Sequence, residues 1–354
     1  MKKSSSNMPR RDFLGSMTTL GLSAGALAAQ VSGAEIAQPA AMERPARAGR
    51  LPREVWIATI AQEGIEATSP KQIMSEMIAR MESVARAHQP DIICLPELFL
   101  FPGNRPPLSE IAESQVGELA APFVQFARDN GCYVAYSGYT TEAGRYYNAV
   151  VLIDRSGQVC GEYRKTRLTT GEMRNGLTPG PLVPPTFETD FGRVGAQVCF
   201  DIEWSDGWRH LRDSGAEIVL FPSAFAAGRA VNMRACQNQF VVVSSTRKDT
   251  SKIVDITGET IAATSRWHRW VCAAVNLERA FLHTWPFNRH FDQIQAKYGR
   301  DLVITTFGEE EWTILESLSP ELRVEDVLRE FKIETYAEHI ARAEAMQSAN
   351  RPPA

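Results

Sequence analysis

Three ionisable side chains stand directly after stretches of the chain that are predicted to be strands. They are Glu97, Lys165 and Cys199. Because reactive groups in α/β folds lie at the ends of strands, we expect the three side chains to converge at one end of a sheet. A carboxylate, an ammonium group and a thiol supply a base, a cation and a nucleophile, which acyl transfer through a cysteine requires.

Each of these residues also has an ordinary structural interpretation. Most lone free cysteines are buried as small apolar side chains, a glutamate after a strand can cap a loop, and a lysine commonly lies on the surface. Cys199 is distinguished by an acid, Asp201, two residues further on. A base, a cation and a nucleophile at three separate strand ends favour catalysis over three unrelated structural roles.

Short motifs around these residues follow one another in a characteristic order. They are Leu95-Pro-Glu-Leu98, Tyr147-Asn148 through Tyr163-Arg-Lys165, Gly171-Glu172, Thr178-Pro-Gly180, Gly192-Arg193 through Cys199-Phe-Asp201, and Phe221-Pro-Ser-Ala224. With these motifs the chain resembles the nitrilase superfamily of carbon–nitrogen hydrolases, roughly over residues 54–280. The resemblance implies a catalytic triad of Glu97, Lys165 and Cys199, with Glu172 as a second carboxylate in the pocket.

The resemblance also implies a reaction. We expect Lys165 to favour the Cys199 thiolate, which attacks a carbonyl carbon, and Glu97 to carry the protons. Lys165 and the backbone N–H of Phe200 are expected to stabilise the charge that develops on the oxygen. Family members that hydrolyse amides or N-carbamoyl compounds tend to have an aromatic residue and Asp or Asn after the cysteine, as in Phe200-Asp201. The predicted function is hydrolysis of a non-peptide C–N bond in an amide or ureido compound through a cysteine thioester, with release of ammonia or an amine.

The predicted oxyanion and substrate-binding residues are Phe200, Asp201, Trp204, Arg167 and Ser223. Arg167 stands where the family often has His, and Trp204 stands close to where it often has Pro-Glu. Together with Arg229, these residues are candidates to bind a carboxylate or a ring of the substrate.

Three other functions are compatible with parts of this pattern. A true nitrilase or an acyl transferase uses the same three side chains, and a non-catalytic protein can retain the fold and the pocket. The intact set of Glu97, Lys165 and Cys199 argues against the non-catalytic alternative. Hydrolysis and acyl transfer share the thioester, so both remain open at this point.

Residues 1–34 have the features of an export signal. Arg10-Arg11 followed by Phe13-Leu14 forms a twin-arginine pattern, and a small-residue apolar stretch comes next. We therefore expect export by the twin-arginine route to a periplasmic or other extracytoplasmic location. The stretch is too short and too rich in Gly, Ser and Thr for stable membrane insertion. Residues 35–53, rich in Ala, Pro and Arg, are predicted to form a linker.

Predicted strands and helices alternate over residues 54–280, which indicates an α/β fold with helices outside the sheets. The family resemblance narrows this to one domain with a four-layer α-β-β-α sandwich. Family members commonly pair through a helix layer, so we expect a homodimer or a larger homo-oligomer. Residues 281–354 are predicted to form a C-terminal helical extension, whose last helix begins with the capping box of Thr335 and Glu338.

Composition limits the partners of the chain. The formal net charge is −4, and no basic patch is interleaved with aromatic residues, so nucleic acid is not expected as a partner. The 6 cysteines do not suggest a disulfide framework in a chain of 354 residues, and the histidines lack metal-ligand spacing. We therefore predict no metal and no cofactor, and a small-molecule substrate.

Overall fold

The computed structural model describes residues 51–103 and 105–352. The predicted export signal and residues 35–50 of the predicted linker lie outside the described residues. Arg53, the last residue of that linker, is packed on the body of the protein. Its guanidinium forms an ion pair with Glu217 at 2.8 Å and donates to the carbonyl oxygens of Leu277 and Phe191.

Strands and helices follow one another in the described residues as the alternation predicts. The strands are β1 (Glu54–Ile60), β2 (Ile92–Cys94), β3 (Tyr133–Glu142), β4 (Arg145–Ile153), β5 (Val159–Arg164), β6 (Thr186–Glu188), β7 (Arg193–Ala196), β8 (Ile218–Ser223), β9 (Val241–Thr246), β10 (Lys252–Val254), β11 (Thr260–Ala263), β12 (Trp270–Asn276), β13 (Arg279–His283), β14 (Leu302–Phe307) and β15 (Trp312–Ser317). The α-helices are α1 (Pro70–His88), α2 (Leu108–Ile111), α3 (Ala121–Asn130), α4 (Thr170–Arg174), α5 (Asp206–Asp213), α6 (Arg229–Asn238), α7 (Phe291–Tyr298), α8 (Val324–Phe331) and α9 (Tyr336–Asn350).

Two six-stranded sheets form the centre of the molecule. The first has the order β12-β1-β2-β3-β4-β5 and the second the order β11-β10-β9-β8-β7-β6. In each sheet the three middle strands are parallel, β1 with β2 and β3, and β7 with β8 and β9. The outer strands pair in antiparallel fashion. The carboxyl ends of the parallel strands therefore form one edge in each sheet, where reactive groups are expected.

The apolar faces of the elements explain the layers. On α1, Ser69 caps the first turn, Pro70 occupies its start, and Ile73, Met77 and Met81 are fully buried on the first sheet. The second sheet carries α5 and α6 on its outer face, through a separate buried cluster. A third cluster, made of residues from both sheets, fills the space between them. This order of helices, sheet, sheet and helices confirms the four-layer α-β-β-α sandwich.

The C-terminal part combines the predicted helices with a small sheet. Strands β13, β15 and β14 form a three-stranded antiparallel sheet that shares a core with α7 and α8. The capping box of Thr335 and Glu338 is present at the start of α9. Phe281 and Ile314 belong to the core between the two large sheets, so the extension is packed on the sandwich. No helix in residues 51–103 or 105–352 has the length and apolarity needed to cross a bilayer.

Candidate active site

Glu97 and Lys165 reach the site from the first sheet. Glu97 comes three residues after the end of β2, and Lys165 follows β5 directly. The backbone N–H of Lys165 donates to the Asn148 carbonyl at 2.8 Å, and its carbonyl accepts from the N–H of Gly180 at 2.9 Å. A Cβ atom at Gly180 would lie 2.1 Å from the Arg164 carbonyl oxygen, so only glycine permits this close approach.

Cys199 reaches the site from the second sheet, three residues after the end of β7. It opens a 3₁₀ turn, Cys199–Glu203, and its φ of 48° lies in the left-handed region that residues with a Cβ adopt rarely. The turn is held by Asp201, whose Oδ2 accepts from the Val198 N–H at 2.8 Å. Such backbone strain persists only where its surroundings determine it, and it is common at reactive sites.

The ends of the two sheets thus meet at one cluster of side chains. We expected the three groups at one end of a single sheet. In the structure, two of them follow strands of the first sheet and the nucleophile follows a strand of the second. Lys165 Nζ lies 2.9 Å from Glu97 Oε1 and 2.9 Å from Glu172 Oε1. Glu97, Lys165 and Cys199 are all buried.

Asn148 completes this cluster, although it was not among the predicted site residues. Its Nδ2 donates to Glu97 Oε1 at 2.8 Å and to Glu172 Oε1 at 2.9 Å. The amide therefore holds the two carboxylates at a fixed distance from each other and from Lys165. The motif that contains Asn148 was a signal of its importance, but nothing in the motif indicated this contact.

Glu172 is oriented by the end of its own helix. It occupies the third position of α4, where Thr169 and Glu172 form a capping box. Glu172 Oε2 accepts from the Thr169 N–H at 2.8 Å and from Thr169 Oγ1 at 3.0 Å. Lys165 Nζ donates to both oxygens of Glu172, at 2.9 and 3.0 Å, and Asn148 Nδ2 donates to Oε1. The capping box therefore directs the carboxylate towards the lysine.

Close contacts in the cluster determine the ionisation states of Lys165 and Glu172. Burial lowers the pKa of Lys165, but the carboxylates of Glu97 and Glu172 outweigh this effect and raise it above its ordinary value. Burial acts to raise the pKa of Glu172, but Lys165, the Thr169 N–H and Asn148 hold it below its ordinary value. Lys165 is therefore an ammonium group and Glu172 a carboxylate at neutral pH.

The Cys199 thiol is not activated in advance by this charge pattern. Burial, followed by the negative charge of Glu97, raises the pKa of the thiol to about 11, although Lys165 and the backbone N–H of Ala224 act to lower it. We expected Lys165 to favour the thiolate, and its charge does act to lower the pKa of the thiol. The net effect on the pKa of the thiol is the opposite, because burial and the negative charge of Glu97 together outweigh Lys165. The thiol is neutral at pH 7 and needs a base.

Asp201 serves the backbone and does not line the pocket. Its Oδ1 accepts from the Arg167 N–H at 2.7 Å, and its Oδ2 accepts from the Tyr163 hydroxyl at 2.7 Å and from the Val198 N–H. Burial raises the pKa of Asp201 to about 6. The carboxyl group thus ties the segment after Lys165 to the turn of Cys199, and Asp201 is not among the residues that line the cavity.

A cavity of about 540 Å³ opens onto the cluster. Its lining contains the four candidate catalytic residues, Glu97, Lys165, Glu172 and Cys199. The other lining residues are Leu98, Phe101, Pro102, Gly103, Arg105, Tyr139, Thr169, Asn175, Ala224 and Arg247. Arg105, Tyr139 and Arg247 were not among the predicted site residues, and no local pattern connects such distant positions in the sequence.

The predicted substrate-binding side chains lie outside this lining. Arg167 forms an ion pair with Asp206 at 2.5 Å, and its guanidinium carbon lies 5.3 Å from the centre of the Trp204 ring. The ring of Phe200 packs edge-on against Trp204 at 5.0 Å. The three side chains form a surface group of their own, and Arg229, the first residue of α6, does not line the cavity either.

Ser223 is also placed differently from the prediction. Its side chain is fully buried, and its Oγ accepts from the Phe225 N–H at 3.2 Å. The following residue, Ala224, lines the cavity and directs its N–H to the thiol of Cys199. Ser223 therefore shapes the loop that contacts the nucleophile and has no direct access to the cavity.

Comparison with known proteins identifies the family of the chain. The profile of the family described as Carbon-nitrogen hydrolase matches residues 57–281, which is more than half of the chain. The chain belongs to the carbon–nitrogen hydrolase family. The matched segment ends within β13, where the three-stranded sheet of the C-terminal part begins.

Two named proteins are similar to part of this carbon–nitrogen hydrolase. It is 29% identical over 204 residues to a nitrilase and fragile histidine triad fusion protein, NitFhit, of Drosophila melanogaster, covering 53% of this chain. It is 31% identical over 173 residues to the deaminated glutathione amidase of Rattus norvegicus, covering 43% of this chain. The chain spans about half the length of these relatives, 44% of the first and 53% of the second.

Solved structures share the fold. An amidase from Nesterenkonia sp. superposes with a TM-score of 0.55 at 22% identity, over 63% of this chain and 90% of the amidase. Nit3 of Saccharomyces cerevisiae, a member of the nitrilase superfamily, superposes with a TM-score of 0.58 at 18% identity, over 64% of this chain and 92% of Nit3. At these identities the likeness concerns the architecture.

Proposed function

We propose that this carbon–nitrogen hydrolase cleaves a non-peptide C–N bond of an amide or N-carbamoyl compound through a thioester on Cys199. The observation that carries the proposal is the position of Glu97. Its carboxylate lies beside the Cys199 thiol, its Oε1 is bound to Lys165, and its Oε2 is buried without a hydrogen-bond partner. A buried carboxylate oxygen left free next to a neutral thiol is suited to accept the proton of that thiol.

Acylation begins with that proton transfer. As the sulfur attacks the carbonyl carbon, Glu97 accepts the thiol proton, and the carbonyl oxygen becomes negative. An ammonium group has three N–H donors. Those of Lys165 contact Glu97 Oε1 and both oxygens of Glu172 in the resting site. The positive charge of this ammonium group, together with the backbone N–H of Phe200, stabilises the oxyanion. When the C–N bond breaks, Glu97 returns the proton to the leaving nitrogen, and ammonia or an amine departs.

Deacylation reverses the roles with water. Glu97 removes a proton from water, the hydroxide attacks the thioester carbonyl, and the thiolate leaves as its proton returns from Glu97. The products are a carboxylic or carbamic acid and the free thiol. Glu172 and Asn148 contact neither reacting bond, and they hold Lys165 and Glu97 in place.

An amide substrate is favoured over a nitrile by the residues next to the nucleophile and by similarity to proteins named as amidases. Turnover by purified protein of amides, ureido compounds and nitriles, with detection of released ammonia, tests this choice. We expect ammonia from amides or ureido compounds and none from nitriles. Hydroxylamine as acceptor tests for acyl transfer, since a transferase yields a hydroxamate in preference to the acid.

Cys199→Ala and Cys199→Ser test the nucleophile. We expect both variants to fold and to lose turnover, as judged by circular dichroism and ammonia release. Cys160, an exposed free thiol, offers a matched control, because Cys160→Ala should retain full activity. Activity of Cys199→Ala equal to that of the wild type would exclude the proposed mechanism.

We expect chelators to leave the rate unchanged, because the proposed chemistry uses no metal. Within the described part of the chain, no group of three or more His, Cys, Asp or Glu side chains is placed to hold a metal ion. Loss of activity on chelation that added zinc restores would contradict the proposed mechanism.

We also propose export by the twin-arginine route and assembly into a homodimer. Replacement of both Arg10 and Arg11 by lysine should keep the protein in the cytoplasm, which fractionation of cells detects. Light scattering of the mature protein should give twice the mass of one chain, and a monomer would contradict the assembly.

A further inference from the structure

Two arginines face the cavity without an acidic partner. Arg105 and Arg247 both line it, and among residues 51–103 and 105–352 neither forms an ion pair with Asp or Glu. Half-buried arginines elsewhere in the described chain, such as Arg155 and Arg164, each bind carboxylates. An arginine held in a pocket without a partner is suited to bind an anionic group of a ligand, because its planar N–H donors match a carboxylate.

Arg247 is positioned through its backbone, and Arg105 through its guanidinium. Arg247 follows β9 directly, and its N–H donates to the Ser223 carbonyl at 3.0 Å, next to the Ala224 that contacts the nucleophile. Arg105 donates to the carbonyl oxygens of Pro106 at 3.1 Å and Asn175 at 3.3 Å. Neither set of contacts uses all the N–H donors of its guanidinium, so donors are left for a ligand.

Tyr139 connects the two arginines. The Arg105 guanidinium carbon lies 5.1 Å from the centre of the Tyr139 ring. Burial raises the pKa of the Tyr139 hydroxyl, and the positive charges of Arg105 and Arg247 both act against that rise. Both arginines are therefore close enough to act on the hydroxyl group of one half-buried tyrosine, which lines the same cavity.

Charge is unevenly distributed over the cavity. The catalytic cluster carries two carboxylates, Glu97 and Glu172, against one ammonium group, Lys165, so its net charge is negative. The arginines add two positive charges to the same cavity. A ligand carboxylate is repelled by the cluster and attracted by the arginines, whereas a neutral amide group fits beside Cys199.

We propose that Arg105 and Arg247 form a carboxylate-binding subsite, so that the substrate carries a carboxylate at the end remote from the C–N bond that is cleaved. This inference rests on the proposed function for the identity of the scissile bond. It assigns anion recognition to residues inside the cavity, in place of the predicted Arg167, which is paired with Asp206 outside it.

Two amides of equal chain length test the subsite. Glutaramate carries a carboxylate opposite its amide, and pentanamide carries a methyl group in the same place. Binding is measured by calorimetry on full-length Cys199→Ala, which cannot turn the amides over. We expect glutaramate to bind at least about tenfold more tightly than pentanamide, as charge-assisted hydrogen bonds to arginine predict.

Variants then locate the effect. In the Cys199→Ala background, Arg105→Gln and Arg247→Gln should each reduce the preference for glutaramate by about tenfold and leave pentanamide binding unchanged. Unchanged pentanamide binding also shows that the variant is folded. Arg167→Gln and Arg209→Gln, the latter in an exposed arginine on α5, should retain the full preference.

The outcomes separate the subsite from the reaction. Equal binding of the two amides, or an unaltered preference in both cavity variants, overturns the subsite. Hydrolysis of both amides by the wild type without preference leaves the proposed function standing and rejects the subsite. Preferential binding of glutaramate that depends on Arg105 and Arg247, without hydrolysis of any amide or ureido compound by the wild type, supports the subsite and rejects the proposed function.

Discussion

Two buried carboxyl groups, Glu97 and Asp201, flank the nucleophile, and their surroundings differ. Glu97 is bound to a cation and an amide, Lys165 and Asn148, and its Oε2 is free. Asp201 is bound by two backbone N–H groups and one hydroxyl, and both of its oxygens are occupied.

This difference shows how a carboxyl group becomes reactive or structural. A carboxylate with a free oxygen beside a thiol can take up a proton without breaking other contacts. Asp201 would have to release a backbone N–H or the Tyr163 hydroxyl in order to do so. Both groups are buried carboxyls, so the hydrogen-bond partners decide the role.

The largest expected effect concerns the proton carrier. Glu97→Gln keeps the shape and the contact with Lys165 but removes the base, so kcat/KM should fall by about 10³-fold. Asp201→Asn should lower kcat/KM less, because no proton passes through Asp201. Steady-state kinetics on both variants compare them, and a greater loss in Asp201→Asn would reverse the assignment.

Asp201 should be visible in the pH dependence of stability. Its pKa is raised from 3.8 to about 6 in the folded protein, so the folded state holds this proton more tightly than the unfolded state. The contribution of Asp201 to stability therefore declines as pH rises through this window, by about 3 kcal/mol in total. Urea unfolding of wild type and Asp201→Asn between pH 4 and pH 7 measures the difference, which should change in this direction.

A constant difference between the two proteins over that range would show that the pKa of Asp201 is not raised by burial. The opposite trend, with the wild type gaining relative stability as pH rises, would mean that its hydrogen bonds outweigh its burial.

Asn148 should act on the rate through Glu97 and Lys165. Asn148→Ala removes the amide that holds the carboxylates, and kcat should fall by about tenfold with little change in KM. Asn238 is a matched control, because it is also buried and donates to one carbonyl oxygen within α6. Asn238→Ala should lower the melting temperature and leave kcat unchanged. Equal kcat losses in both variants would indicate a general structural effect.

The smallest expected effect comes from a helix cap. Thr169→Ala breaks the capping box that directs Glu172, which should lower the free energy of unfolding by about 1 kcal/mol. We expect kcat to fall by about fivefold. Thr335→Ala breaks an equivalent capping box at the start of α9, outside the cavity lining. Thr335→Ala should lower stability by a similar amount and leave kcat unchanged. Steady-state kinetics and thermal unfolding of the two variants measure both effects.

Local patterns predicted the parts of the molecule that local chemistry determines. The capping box of Thr335 and Glu338 follows from spacing and is present in the structure. The candidate catalytic residues Glu97, Lys165 and Cys199 came from strand ends and from the order of motifs, and the structure brings them together. Each of these predictions depends on a few neighbouring residues.

Features that depend on distant contacts were not predicted. Arg105 and Arg247 meet at one cavity although they are far apart in sequence, and Asp201 binds both Tyr163 on β5 and Val198, which follows β7. Strand β14 was missed because several of its residues are exposed and its polar threonines do not alternate clearly with apolar residues. In each case the sequence position reveals the residue type but not its partner.

The most direct test of this account is the ionisation of Cys199 in the resting enzyme. Ultraviolet difference spectra of wild type minus Cys199→Ala, recorded as a function of pH, isolate the absorbance of this one thiolate. Because the pKa of the thiol is raised to about 11, the signal should be absent at pH 7, where the enzyme turns over, and should appear only in strongly alkaline solution. A full thiolate signal at pH 7 would mean that Cys199 is already ionised, and that Glu97 is not its base.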